Sequence, residues 1–141
     1  MGVSLLNSFE FFMEVPTRKS TALLIESPYD GLLLVTRIMS AVGFDLITVH
    51  INENFSERLE KCPKLDLIVF DSKLVGFNGK SLAENYYAQI KANPNTRHIP
   101  LIIIAYEEEK DSLAKLQADI HIVKPIDLDE FPKILQKYLA Q

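Results

Sequence analysis

The stretch Leu67-Ile68-Val69-Phe70-Asp71 consists of apolar residues that end in an acid. Its apolar residues are continuous rather than alternating with polar ones, which predicts a strand buried on both faces. Further short runs rich in Ile, Leu and Val lie on either side of it, at 22–25, 46–51, 101–104 and 120–123. Since most of these runs are also continuous, they favour a parallel sheet covered by helices on both sides.

Helical patterns separate the apolar runs. The clearest one places apolar residues on one helix face and ends at Gly43; its members are Leu34, Val35, Ile38, Met39 and Val42. The other patterns predict helices over 55–61, 81–92, 108–117 and from Phe131 to Leu139. The pattern over 108–117 is the weakest, because only Leu113 and Leu116 are clear core candidates. The segment from Ala105 to Lys124 is also short for a strand-to-strand connection that contains a helix, which puts this helix in doubt.

The strict alternation of strands and helices predicts an α/β fold. We expect a doubly wound (βα)5, flavodoxin-like three-layer sandwich with a parallel sheet in the order 2-1-3-4-5. The run 46–51 alternates apolar with polar residues, which is typical of an edge strand. The predicted domain covers 20–141, and ligands of such a fold bind beyond the carboxyl ends of the strands.

Composition restricts the class of protein. The chain has 141 residues, is 48% hydrophobic and carries a net charge of −4, which indicates one globular domain. The acidic balance argues against nucleic acid or an anionic membrane as a partner. Since no apolar run approaches the roughly 18 residues of a membrane span, and Cys62 is the one cysteine, we expect a cytoplasmic protein.

Residues 1–19 stand outside the alternating pattern and form an N-terminal extension or linker. They are rich in apolar side chains and end in Pro16-Thr17-Arg18-Lys19. Two interpretations stay open. The segment either lies on the domain without a role of its own, or serves self-association into a homodimer or docking of a partner, since large apolar patches seldom remain exposed.

Three of the predicted strands are followed by residues that carry chemistry. Glu26 and Asp71 follow the first and third strands, and Lys124 follows the fifth. A carboxylate at this edge can act as a nucleophile, and a lysine can neutralise the charge of an incoming phosphoryl group. A second carboxylate would help to bind Mg²⁺, which prefers oxygen ligands. The arrangement is typical of phosphoryl transfer.

Taken together, these motifs resemble the receiver domain of response regulators in two-component signalling. The resemblance covers about 20–139. It rests on 67–71 followed by Gly76 and Asn78-Gly79, on 98–104, and on the lysine–proline turn at 123–126.

The resemblance implies roles for individual residues. Asp71 would accept a phosphoryl group from a histidine kinase or phosphotransfer protein and would signal to a downstream protein partner. Lys124 would contact the phosphoryl oxygens. Glu26, Asp71 and the backbone carbonyl of Lys73 would bind Mg²⁺. Such a domain is a phosphorylated signalling module rather than an enzyme with its own substrate.

The chain departs from the family pattern at several positions, of which three concern the site. Ser27 stands where the family has a second acid, so the Mg²⁺ site would be weaker; with Pro28 after it, Ser27 also fits a helix cap. Ala105 replaces a hydroxyl residue, and His121 occupies the aromatic switch position. We therefore expect a receiver with weakened or rewired switching. The alternative is a pseudo-receiver that binds proteins independently of phosphorylation, in which Lys124 pairs with Asp71 only to neutralise it.

Overall fold

The computed structural model describes residues 19–26, 33–50, 54–71 and 79–140. The strands are β1 Ser20–Glu26, β2 Phe44–His50, β3 Leu67–Asp71, β4 Leu101–Ala105 and β5 Ile120–Val123. The helices are α1 Leu33–Val42, α2 Phe55–Lys61, α3 Gly79–Ala92, α4 Lys110–Leu113 and α5 Glu130–Gln136. A turn of 3-10 helix, Glu107–Glu109, precedes α4. The predictions for residues 1–18 lie outside the described ranges.

The strands form one parallel sheet in the order β2-β1-β3-β4-β5. This confirms the predicted doubly wound α/β fold. It also confirms that β2 is an edge strand, as its alternating sequence predicts. Within the described residues, no helix is both long and apolar enough to span a membrane.

Helices cover both faces of the sheet, which explains the continuous apolar runs. In β1, Leu23 and Ile25 belong to a core shared with α2, α3 and α4. The intervening Ala22 and Leu24 belong to a second core shared with α1 and α5. Successive strand residues point to opposite faces, so a strand buried on both must be apolar at every position.

Most of the helical patterns are confirmed, with one correction in α1. Helix α2 has the predicted bounds, and α3 begins two residues earlier than predicted. Val35 and Met39 are buried as expected, but Leu34 is 51% exposed. Leu34 lies in the first turn of α1, and the apolar stripe that faces the sheet begins at its neighbour.

The weakest predicted helix, 108–117, is much shorter than its pattern suggested. It forms the 3-10 turn followed by the four-residue α4. Leu113 and Leu116 are nevertheless buried, as predicted. The N–H of Leu116 donates to the carbonyl of Leu113 at 3.0 Å, which closes a tight turn in place of another helical turn.

The last helix, α5, also ends earlier than its apolar pattern, at Gln136. Tyr138 and Leu139 still pack on the second core from the turns that follow it. At the other end, Asp127 Oδ1 accepts the N–H groups of Asp129 at 2.8 Å and Glu130 at 3.0 Å. These hydrogen bonds lower the pKa of the Asp127 carboxyl and fix the beginning of α5.

Two aspartates join neighbouring strands at the amino edge of the sheet. Asp66 accepts the Thr21 N–H at 2.8 Å and donates its own N–H to the Thr21 carbonyl at 2.8 Å. Asp119 makes the same reciprocal pair with Leu101, at 2.9 Å in each direction. Each aspartate therefore provides hydrogen-bond partners for the backbone N–H and carbonyl of a residue near the beginning of the neighbouring strand, β1 for Asp66 and β4 for Asp119.

We expect Asp119→Ala to lower the free energy of unfolding by about 1–3 kcal/mol, because the Leu101 N–H loses its charged acceptor. Asp119→Asn keeps an oxygen at the same place and should be less destabilising. Urea denaturation of the two variants and the wild type measures the difference. Equal losses for both variants would show that the side-chain hydrogen bond contributes little.

Candidate functional site at the carboxyl edge of the sheet

The strand register brings the chemistry-bearing residues to one edge of the sheet. Glu26 ends β1 and Asp71 ends β3, and the preceding residues Ile25 and Phe70 are paired. The two acids therefore leave neighbouring strands side by side. This is the convergence that the sequence predicts.

The fifth strand delivers Lys124 to the same edge. Asp71 pairs with Ile104 of β4, and the following residue, Ala105, pairs with Val123 of β5. The backbone N–H of Lys124 donates to the carbonyl of Ala105 at 2.7 Å. Lys124 thus directly follows the end of β5. Its strand is separated from β3, which ends in Asp71, by β4.

Part of the predicted site lies outside what the structure describes. Ser27 and Lys73 fall outside the described residues. For Glu26 and Asp71 the structure describes the backbone but not the side chain. Their predicted roles in metal binding and phosphoryl acceptance therefore stay predictions. Among the side chains that are described, no group of three or more His, Cys, Asp or Glu is placed to hold a metal ion.

The side chain of Lys124 lies against an aromatic ring. Its Nζ is 4.4 Å from the ring centroid of Tyr106, the residue that follows β4. At this distance the ammonium group is attracted to the negative face of the ring. Both side chains are half-buried, so water screens the attraction less than it would at a fully exposed pair.

The backbone of Tyr106 is held by the turn that follows it. Its N–H donates to Glu109 Oε1 at 3.1 Å, and its carbonyl accepts the N–H of Glu109 at 2.9 Å. These reciprocal bonds close the 3-10 turn. Within the turn, Glu107 Oε2 lies 2.7 Å from Lys110 Nζ, which raises the pKa of that ammonium group. The position of Tyr106 is therefore set by local hydrogen bonds.

The two predicted switch positions line the same cavity. It has a volume of about 220 Å³, lies between α4 and β5, and includes Ala105, Leu113, His121 and Val123 in its lining. Ala105 is buried, and its methyl group cannot hydrogen-bond a phosphoryl oxygen. His121 is exposed at the edge strand, with Nε2 3.1 Å from the carbonyl oxygen of Leu116.

The sequence predicted no functional role for Tyr106, and it predicted for Glu109 only a place in the solvated beginning of a helix. One feature of the sequence could have indicated a role for Tyr106. It is an aromatic residue directly after one predicted strand, and a lysine directly follows the next strand. Only the register of β4 and β5 shows that Tyr106 and Lys124 meet, because they are far apart in the sequence.

No protein-family model matches the chain, and no curated protein sequence matches it. Solved structures do. The receiver domain of a sensor histidine kinase from Pseudomonas aeruginosa PAO1, solved with a magnesium ion in its active-site cleft, superposes with a TM-score of 0.68 at 19% identity. The superposition covers 86% of this chain and 98% of that domain. The chain has the fold of a response-regulator receiver domain.

Two further structures show the same receiver fold. A signal receiver domain of a two-component histidine kinase from Clostridium thermocellum has a TM-score of 0.63 at 22% identity, over 84% of this chain and 93% of that domain. A response regulator receiver domain protein from the same organism has a TM-score of 0.60 at 18% identity, with the same coverage of both chains, 84% and 93%. Since the identities are low, the likeness establishes the receiver fold and no individual role.

Proposed function

We propose that this chain is the receiver of a two-component phosphorelay, in which Asp71 accepts a phosphoryl group from a histidine kinase or phosphotransfer protein. The observation that carries the proposal is the register that brings the ends of β1, β3 and β5, with Glu26, Asp71 and Lys124, to one edge. The receiver fold supports it, because that edge is where a doubly wound sheet binds its ligand.

The transfer itself needs a carboxylate nucleophile and compensation of charge. An oxygen of Asp71 forms a bond to phosphorus while the bond from phosphorus to the donor's imidazole nitrogen breaks. The nitrogen leaves with the bonding electron pair and is protonated. The ammonium group of Lys124 stabilises the negative charge on the phosphoryl oxygens.

The oxygen donors at this edge fit Mg²⁺. Glu26 and Asp71 end adjacent strands, and carboxylates are ligands that Mg²⁺ prefers. The carbonyl of Lys73 would complete the protein ligands, and Ser27 would supply a weaker, neutral one. Held by these residues, Mg²⁺ would supply positive charge to neutralise the phosphoryl oxygens. With one carboxylate fewer than the family pattern, we expect weak metal binding.

The switching step is weakened in this proposal. A phosphoryl group on Asp71 cannot be hydrogen-bonded by Ala105, which is 4% exposed and has no hydroxyl group. At the second switch position, the Nε2 of His121 lies near the Leu116 carbonyl. The hydroxyl group that a switch side chain would follow is missing at Ala105.

The domain would act in the cytoplasm on a downstream protein partner, without a substrate of its own.

Titration with Mg²⁺ and beryllofluoride, followed by backbone amide NMR, tests the proposal. Beryllofluoride on a carboxylate imitates an acyl phosphate. We expect shifts at Asp71, Ala105 and Lys124 at millimolar metal, with smaller shifts along α5. An unchanged spectrum at the carboxyl edge would contradict phosphoryl acceptance.

The alternative function is a pseudo-receiver that binds a protein partner independently of phosphorylation. The absence of a hydroxyl at Ala105 favours it, because phosphorylation would then leave the face formed by α4 and β5 unmoved. Partner binding that is equal with and without beryllofluoride, together with unchanged amide shifts, would support the pseudo-receiver over the phosphorelay.

A further inference from the structure

We propose that Tyr106 is a positioning residue: its ring holds the ammonium group of Lys124 at the carboxyl edge and thereby increases the rate of phosphoryl uptake at Asp71. The effect on uptake rests on the proposed function, whereas the contact between ring and ammonium does not. The distance of 4.4 Å from Nζ to the ring centroid is the starting observation.

The first argument concerns where the ring lies. Tyr106 follows β4, which lies between β3 and β5 in the sheet. Lys124 belongs to the end of β5, and Asp71 to the end of β3. The ammonium group of Lys124 therefore contacts the ring of a residue that follows the strand lying between its own strand and that of Asp71.

The second argument concerns the freedom of a lysine side chain. A lysine carries four rotatable side-chain bonds, and fixing them costs conformational entropy. The ring face restricts Lys124 before a phosphoryl donor arrives, so less of that entropy is lost in the transition state. Preorganised charge of this kind acts most strongly where water is partly excluded, as it is at this half-buried pair.

The third argument concerns the rigidity of the support. Tyr106 is fixed by the two backbone-directed hydrogen bonds with Glu109, and the backbone of Lys124 is fixed by the bond to the Ala105 carbonyl. The backbone at one end of the contact is therefore held by the turn that follows β4, and the backbone at the other end by β4 itself. A ring on a rigid support can hold a charge in place, whereas a ring on a mobile loop cannot.

The experiment compares Tyr106→Leu, Tyr106→Phe and the wild type in two independent measurements. The matched control is Tyr87→Leu on α3, where Lys91 Nζ lies 5.7 Å from the ring centroid of Tyr87, remote from the carboxyl edge. Urea denaturation of every variant establishes that each is folded under the conditions used.

The first measurement is NMR of the ε-methylene group of Lys124, which the ring current of Tyr106 displaces. Tyr106→Leu should return this signal to the position of an ordinary lysine, while Tyr106→Phe and Tyr87→Leu should leave it displaced. An unchanged signal in folded Tyr106→Leu would overturn the inference, whether or not the wild type accepts a phosphoryl group.

The second measurement is the rate of phosphoryl uptake from acetyl phosphate at saturating Mg²⁺. Loss of an ammonium–aromatic contact corresponds to about a 2- to 30-fold change, so Tyr106→Leu should be slower by that factor. Tyr106→Phe retains the ring and should keep most of the wild-type rate, and Tyr87→Leu should keep all of it.

The outcomes separate the two proposals. If the wild type is phosphorylated and Tyr106→Leu reacts at the same rate, the positioning role is overturned and the receiver function stands. If the wild type takes up no phosphoryl group, the proposed function fails, and the positioning role in phosphoryl uptake fails with it. In that case a ring-dependent methylene signal would leave Tyr106 as a structural partner of Lys124 only.

Discussion

We expect replacement of Asp71 by asparagine to abolish the proposed phosphoryl uptake. The amide is neutral and a poor nucleophile, and loss of a nucleophile typically lowers a rate by more than about a thousandfold. The size and position of the side chain are conserved, so the sheet should fold as before. The measurement is mass spectrometry of the intact chain after incubation with acetyl phosphate and Mg²⁺, with the wild type gaining the mass of a phosphoryl group.

Asp45→Asn is the matched control for this substitution. Asp45 is exposed on β2 and pairs in register with Thr21, near the amino edge of the sheet and therefore at the opposite end of the strands from Asp71. Its contact with Lys19 at 3.5 Å is exposed and contributes little to stability. Asp45→Asn should therefore be phosphorylated as the wild type is. Phosphorylation of Asp71→Asn to the wild-type extent would mean that another residue is the acceptor.

We expect replacement of Phe131 by alanine to destabilise the fold strongly. Phe131 is 1% exposed and joins α5 to the second core, which also includes Ile102 and Ile104 of β4. Removal of a buried aromatic side chain costs about 3–5 kcal/mol, which is a large share of the stability of a domain of this size. Urea denaturation should show the midpoint moving to much lower concentration, with α5 losing its attachment to the sheet.

Leu128→Ala, only a few residues before Phe131, is the control. Leu128 is 60% exposed, so its truncation removes little buried area and should change stability by no more than about 0.5 kcal/mol. If both substitutions had the same small effect, α5 would not be an integral part of the core.

The order and type of most elements were predictable from the sequence because the decisive forces act locally. A parallel strand buried on both faces must be apolar at consecutive positions, as β3 and β4 are. The edge position of β2 was predictable for the same reason, since one less buried face leaves an alternating pattern. The residues at the strand ends followed from these assignments, because parallel strands present their carboxyl ends at one edge.

The structure departs from a local pattern where that pattern competes with a connection of limited length, and the short segment from Ala105 to Lys124 already put the fourth helix in doubt. The pattern over 108–117 has the composition of a helix, but the chain from Ala105 must reach Ile120 on the neighbouring strand. It forms a 3-10 turn and a four-residue helix. Leu34 fits a helical stripe by spacing alone, but its neighbour Val35 is the residue of the first turn that packing buries.

The sequence by itself therefore determined a doubly wound sheet and the presence of Glu26, Asp71 and Lys124 at its carboxyl edge. Tertiary structure alone decided which side chain Lys124 meets. Periodicity and capping depend on neighbours a few residues apart, so they can be predicted from the sequence. The contact of Lys124 with Tyr106 depends on the register of β4 against β5 and on the turn closed by Glu109. These join residues that no local pattern relates.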